Sequence, residues 1–140
     1  MRALLDTNVV LDAIAARDPF KDSAQRIVLL AAEEKFEGFI TANCLTDIYY
    51  ITRKSLSDTE AREALRNLFH VFTVIDLLSA DCQAALDLMM RDYEDAVAVV
   101  CARKAGIECI ITRDEESLQN TFKPSVFSPD EFLKKFENKG

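Results

Sequence analysis

The 140-residue chain has no tryptophan, one histidine, three glycines and three prolines. Each scarcity removes a class of chemistry. With His70 as the single imidazole, no site built on paired histidines can be assembled. Three glycines are too few for a Walker-type phosphate loop or a dinucleotide-binding G-x-G-x-x-G turn. The four cysteines, Cys44, Cys82, Cys101 and Cys109, form no C-x-x-C pair and sit among apolar neighbours. They read as free buried thiols of a reducing compartment rather than as a zinc knuckle. No apolar run approaches the ~20 residues that span a bilayer. Only three apolar residues separate Met1-Arg2 from Asp6, too few for a secretory leader. The expectation is a cytoplasmic protein with no membrane partner. Positive charge is also short: 17 basic against 24 acidic residues leave a net charge of -7. A protein that holds nucleic acid by surface charge alone shows the opposite balance. Either nucleic acid is not the partner, or a bound cation reverses the sign locally.

What is present is an ordinary globular balance, 49% hydrophobic and 29% charged, at a length that suits one domain over residues 1–140. Five short β-prone stretches are predicted as strands: Arg2–Leu5, Gly38–Thr41, Val71–Ile75, Glu108–Thr112 and Ser125–Phe127. Segments rich in helix formers lie between them: Val9–Ala16, Ser23–Lys35, Asn43–Lys54, Asp58–Phe69, Ala80–Arg91 and Ala96–Ala105, with a short helix over Pro129–Phe136 after Ser128 as cap. Ala96–Ala105 has almost no polar residue before Arg103, so it should be buried, and Gly106 should stop it. Strands that alternate with helices imply an α/β fold, a mostly parallel five-stranded sheet covered on both faces.

In such a sheet the site lies beyond the carboxyl ends of the strands. Asp6-Thr7-Asn8 follow the first strand, Thr41, Asn43 and Asp47 the second, and Thr112-Arg113-Asp114 the fourth. The buried helix opens at Asp92-Tyr93-Glu94-Asp95. Four separate stretches thus carry acids to one sheet edge. Carboxylates gathered without basic partners raise one another's pKa unless a cation joins them. An all-oxygen ligand set suits Mg²⁺ or Mn²⁺ rather than zinc. Two such ions can clamp the oxygens of an in-line phosphoryl displacement, and would let an acidic protein hold a phosphodiester. Each acid also has a plainer role: Asp6, Asp92 or Asp114 as helix or turn caps, Asp95 completing a capping box with Asp92, and Asp47 as a solvated position.

Leu4-Leu5-Asp6-Thr7-Asn8-Val9 resembles the first motif of PIN-domain nucleases, and Asp92-Tyr93-Glu94-Asp95-Ala96 with Ala98 and Ala102 resembles the third. Ile110-Ile111-Thr112-Arg113-Asp114 resembles the last, and Ile40-Thr41-Ala42-Asn43 with Asp47 completes a likeness that covers nearly the whole chain. The small size is most similar to PIN toxins of VapC type. The resemblance implies a three-layer α/β/α PIN-like fold and a divalent-metal-dependent ribonuclease that hydrolyses RNA phosphodiester bonds by metal-activated water. It implies Asp6, Asp95 and Asp114 as metal-binding acids. It places Asp47 where the family usually carries Glu, one methylene longer. Asp92 becomes a helper to the third acid, and Thr7, Asn8, Thr112 and Arg113 become groups that fix carboxylate rotamers or meet phosphate. The implied partners are an RNA substrate, a small antitoxin whose Arg enters the acidic groove, and a second copy of the chain.

Other readings fit less well. A phosphoacceptor receiver needs paired acids after its first strand and a later Lys in a matching context. An Asp-nucleophile phosphatase needs an acid at position 8, where Asn8 stands. A PIN-like module that binds RNA or a protein without cleaving has the Asp at position 47 in its favour. His70 reads as structural, Asp76 follows an edge strand, and Tyr49-Tyr50-Ile51 reads as core or as a face for a second copy. Glu115-Glu116 reads as a solvated loop.

Overall fold

The computed structural model describes residues 1–114 and 124–138; the Glu115-Glu116 pair lies outside them. Strands β1 (Arg2–Leu5), β2 (Glu37–Thr41), β3 (Thr73–Ile75), β4 (Cys109–Ile111) and β5 (Ser125–Phe127) form one sheet in the order β3-β2-β1-β4-β5, every neighbouring pair parallel. The helices are α1 (Thr7–Ile14), α2 (Lys21–Ala32), α3 (Ala42–Thr52), α4 (Asp58–Val71), α5 (Ser79–Leu86), α6 (Tyr93–Lys104) and α7 (Pro129–Asn138).

Alternation along the strands builds the layers. Ala3, Leu5, Ile40, Cys109 and Ile111 face one core with α1, α2, α3, α4 and α7. Leu4, Phe39, Ile75 and Ile110 face the other, with α5 and α6. Both sheet faces are covered, so the expected three-layer α/β/α arrangement is the one found. Leu4, Ile40, Ile110 and Ile111 are among the most deeply buried side chains, each worth about 1.5–3 kcal/mol of transfer free energy.

Local chemistry sets the element ends. Gly106, at φ +67°, ends α6: its N–H and that of Ile107 return to the carbonyls of Arg103 and Ala102 at 3.1 and 2.9 Å. The same reversal closes α1 and α2, where Ala16 and Glu34 take the left-handed conformation without being glycine. Several expected boundaries move by a few residues. The third strand begins at Thr73 rather than Val71, because α4 keeps its ladder through Val71 and Phe72 N–H still donates to Leu68. The α5 helix stops at Leu86 rather than Arg91. In β2, a Cβ on Gly38 would lie 2.7 Å from the Phe72 ring, so a side chain there would force the ring to shift.

Candidate functional site

The chain moves outward from β1 to β2 and β3, then returns to the other side of β1 for β4. The order reverses between β1 and β4, and a crevice opens beyond their carboxyl ends. This open cleft of about 450 Å³ is lined by Asp6, Asp47, Asp92, Glu94, Asp95 and Asp114, together with Thr7, Asn8, Leu11, Arg17, Tyr50 and Ile51. The structure therefore brings all four acids expected to bind metal, and Asp92, to one place.

Asp6 is the best anchored. Thr7 N–H donates to its Oδ1 at 2.8 Å, so it caps α1 as well as facing the cleft. The hydroxyl of fully buried Thr112 donates to Oδ2 at 2.7 Å. That hydroxyl also accepts the Asp114 N–H at 3.0 Å, which couples the first acid to the last. Asn8 Nδ2 lies 3.4 Å from both Asp6 Oδ2 and Thr112 Oγ1, and Asn8 Oδ1 accepts the Arg113 N–H at 3.4 Å. Burial pushes the Asp6 carboxyl up; Thr112 and Thr7 pull it partly back, and Asp114 and Asp92 push it further. Thr7 also bonds the Cys44 thiol, which burial pushes up to about 12.

Asp92 is the cap of α6, accepting the Asp95 N–H at 3.2 Å, and Asp95 is 93% buried at the head of the helix. Helix α6 begins at Tyr93, directly after its expected cap Asp92, and its first turn carries Glu94 into the site. Desolvation, then Asp47, Asp92 and Asp6, raise the Glu94 pKa. A second, smaller cavity of about 20 Å³, room for one water-sized occupant, is lined by Asp6, Asp47, Glu94, Asn43, Thr41 and Ala98. Asn43 Oδ1 is buried there with no hydrogen-bond partner. Sequence reasoning missed Glu94; the signal was its spacing, four residues before Ala98 and hence on the same helix face.

It also missed Asp12, a carboxylate with no exposed surface on α1. Arg113 Nε and Nη2 reach its two oxygens at 2.5 and 3.3 Å, and Arg17 Nε stands 3.9 Å away. The Arg113 guanidinium also lies 4.0 Å over the Phe20 ring. Nothing in the sequence marks Asp12, since its partner is 101 residues away.

Donor chemistry fits a hard divalent cation. The cleft offers carboxylate oxygens in excess of cations, and the small cavity beside it holds a buried amide oxygen without a partner. As they stand, no three His, Cys, Asp or Glu side chains among the described residues lie close enough together to enclose an ion.

A family model of the PIN domain matches residues 2–116, a span that contains every one of these acids. The chain belongs to the PIN-domain family. Ribonuclease VapC1 of Aquifex aeolicus is similar to this PIN domain at 28% identity over 138 residues, covering 92% of this chain and 86% of its own. Among solved structures, VapBC2 of Rickettsia felis bound to a promoter DNA fragment superposes with a TM-score of 0.69 at 16% identity, covering 91% of this chain and 98% of that one. The Mycobacterium tuberculosis VapC20, a Sarcin-Ricin loop cleaving toxin, superposes with a TM-score of 0.68 at 17% identity, covering 86% and 95%. These structures share the fold. No helix among the described residues is long and apolar enough to cross a membrane.

Proposed function

We propose that this PIN domain is a divalent-metal-dependent ribonuclease, the toxin of a toxin–antitoxin pair, working as a homodimer on RNA phosphodiester bonds. The observation that carries the reading is the convergence of Asp6, Asp47, Glu94, Asp95 and Asp114 on one cleft at the switch point of the sheet. Its similarity to Ribonuclease VapC1 supports RNA as substrate, and its fold likeness to toxin–antitoxin complexes such as one from Klebsiella pneumoniae supports an antitoxin.

Asp6, Asp95 and Asp114 would hold Mg²⁺ or Mn²⁺, with Asp47 as a fourth acid. When bound, the cation supplies charge neutralisation and Lewis-acid polarisation of the scissile phosphate. The chain's own residues do the positioning. Thr112 and Asn8 fix the Asp6 rotamer, Asp92 fixes the first turn of α6 beneath Asp95, and the Asp114 N–H bonded to Thr112 fixes the last acid's backbone. Asp47, one methylene shorter than the usual Glu, lines the small cavity with Glu94 and Asn43. An uncompensated carboxylate groove is also a natural seat for an antitoxin's guanidinium fork.

The test is cleavage of mixed tRNA and of a single-stranded RNA with Mg²⁺, Mn²⁺ or chelator, beside Asp6→Asn and Asp95→Asn. Divalent-dependent cleavage lost in both variants supports the reading. RNA left intact under every metal condition, with antitoxin shown to be absent, favours a PIN module that binds without cleaving. Cleavage that survives both substitutions comes from a contaminant.

A further inference from the structure

Among the described residues, Arg17 is the one cation lining a cleft that otherwise presents acids, small polar groups and apolar side chains. Its place is set by the end of α1. Ala16 takes φ +51°, which turns the chain back so that Arg17 N–H donates to the Asp12 carbonyl at 3.1 Å, and the Arg17 carbonyl accepts Phe20 N–H at 2.9 Å. The backbone at Arg17 is therefore pinned on both sides. Its side chain is not. Among the described residues, buried Asp12 is the only acid within 4 Å of it, and Arg113 already occupies both carboxylate oxygens of Asp12. Arg17 stands off at 3.9 Å, outside hydrogen-bond range, with 37% of its side chain exposed.

Arg113 has the residue type to meet phosphate, but its guanidinium is held between Asp12 and the Phe20 ring. Arg17 has the same fork and room to use it. We propose that Arg17 grips a backbone phosphate of RNA at the mouth of the cleft, with the Asp12–Arg113 pair as its positioning support. The inference rests on the ribonuclease reading and adds a substrate-binding residue to it. An acidic cleft that attracts RNA only through bound cations gains little hold on phosphates flanking the scissile one, and Arg17 supplies that hold.

The experiment measures fluorescence anisotropy of a short single-stranded RNA with a 5′-fluorescein, titrated with the full chain in MgCl₂ over a KCl series. Titrations run in the cold, and the RNA is shown intact on a gel afterwards. Losing one phosphate contact should weaken binding roughly tenfold in Arg17→Ala and make the plot of log affinity against log salt shallower by about 0.7. Arg17→Lys should keep the wild-type slope and lose less affinity. Arg17→Ala should melt close to wild type, since Arg113 still holds Asp12. A wild-type slope in Arg17→Ala overturns the proposal, as does equal loss in Ala and Lys with no change of slope, which marks a structural role. If the wild type cleaves RNA while Arg17→Ala behaves identically, this inference alone fails. If the wild type neither binds nor cleaves RNA, the ribonuclease reading fails and this one with it.

Discussion

Replacing Thr112 tests the coupling of the first and last acids, because two substitutions there predict opposite outcomes under two explanations. Thr112 is fully buried. Its hydroxyl donates to Asp6 Oδ2 at 2.7 Å and accepts Asp114 N–H at 3.0 Å. Thr112→Val keeps the volume and deletes both bonds. A hydrogen bond to a charged group contributes about 1.5–3 kcal/mol, and a donor left unpaired in a part-buried site adds to the loss, so about 2–4 kcal/mol is expected in total. Thr112→Ser keeps the hydroxyl and deletes one buried methyl, a loss of about 1 kcal/mol. For a chain of this size each kcal/mol moves the midpoint by about 3 °C. Thermal unfolding in EDTA should therefore show Val lower than wild type by roughly 6–12 °C and Ser lower by roughly 3 °C. RNA cleavage in Mg²⁺ should fall about 10–100-fold in Val and far less in Ser. The reverse order, with Val more stable than Ser, would mean that packing rather than the hydroxyl network dominates at this position, and the account of how Asp6 is held would be wrong.

Other perturbations follow from the same structure. Arg113→Met strands the buried Asp12 carboxylate and should cost roughly 3–5 kcal/mol, whereas Asp12→Leu combined with Arg113→Met should return to within about 1–2 kcal/mol of wild type, both read by urea denaturation. Gly38→Ala forces its new methyl against the Phe72 ring and should destabilise by about 1–3 kcal/mol, with Phe72→Leu in the same chain recovering part of the loss. The Asp81 carboxyl is held below its ordinary range by the bonded Lys104 ammonium and by Leu78 N–H. A depressed carboxyl pKa adds stability above the unfolded value near 4, and loses it as pH falls through the folded one. The stability gap between wild type and Lys104→Met should accordingly be full at neutral pH and close in acid, as followed by denaturation at a series of pH values.

How far the sequence carries the argument differs between fold and site. The parallel α/β layout was open to reading because Leu4, Ile40 and Ile110 sit in short apolar runs separated by helical segments, whereas the strand order itself was not. The cap at Asp92 was equally plain, since Asp92 and Asp95 have the spacing a helix start requires. The apolar run Val71–Ile75 was ambiguous because helix end and strand share the same residues, and the ladder of α4 decided the matter locally. Asp12 shows the limit. On a helix drawn from sequence it is one polar residue on an otherwise apolar stretch, and only the return of β4 beside β1 brings Arg113 to it. Glu94 fell between: it stood in the Asp92-Tyr93-Glu94-Asp95 run read as the start of α6, but only the two aspartates flanking it were taken as site residues.

The register of β1 also bears on when the cleft can assemble during synthesis. Leu4 pairs with Phe39 on one side and with Ile110 on the other, so the central strand waits for more than two thirds of the chain before its second neighbour exists. The acids of the cleft span Asp6 to Asp114, and Thr112, which holds the first of them, arrives just before the last. A nascent chain released early carries Asp6 without the hydroxyl that orients it and without its closing acid. At the ordinary pace of about 5–20 residues per second, several seconds of translation separate the first acid from the last. In that interval the growing chain has Asp6 in hand but no assembled cleft of acids at the switch point of the sheet.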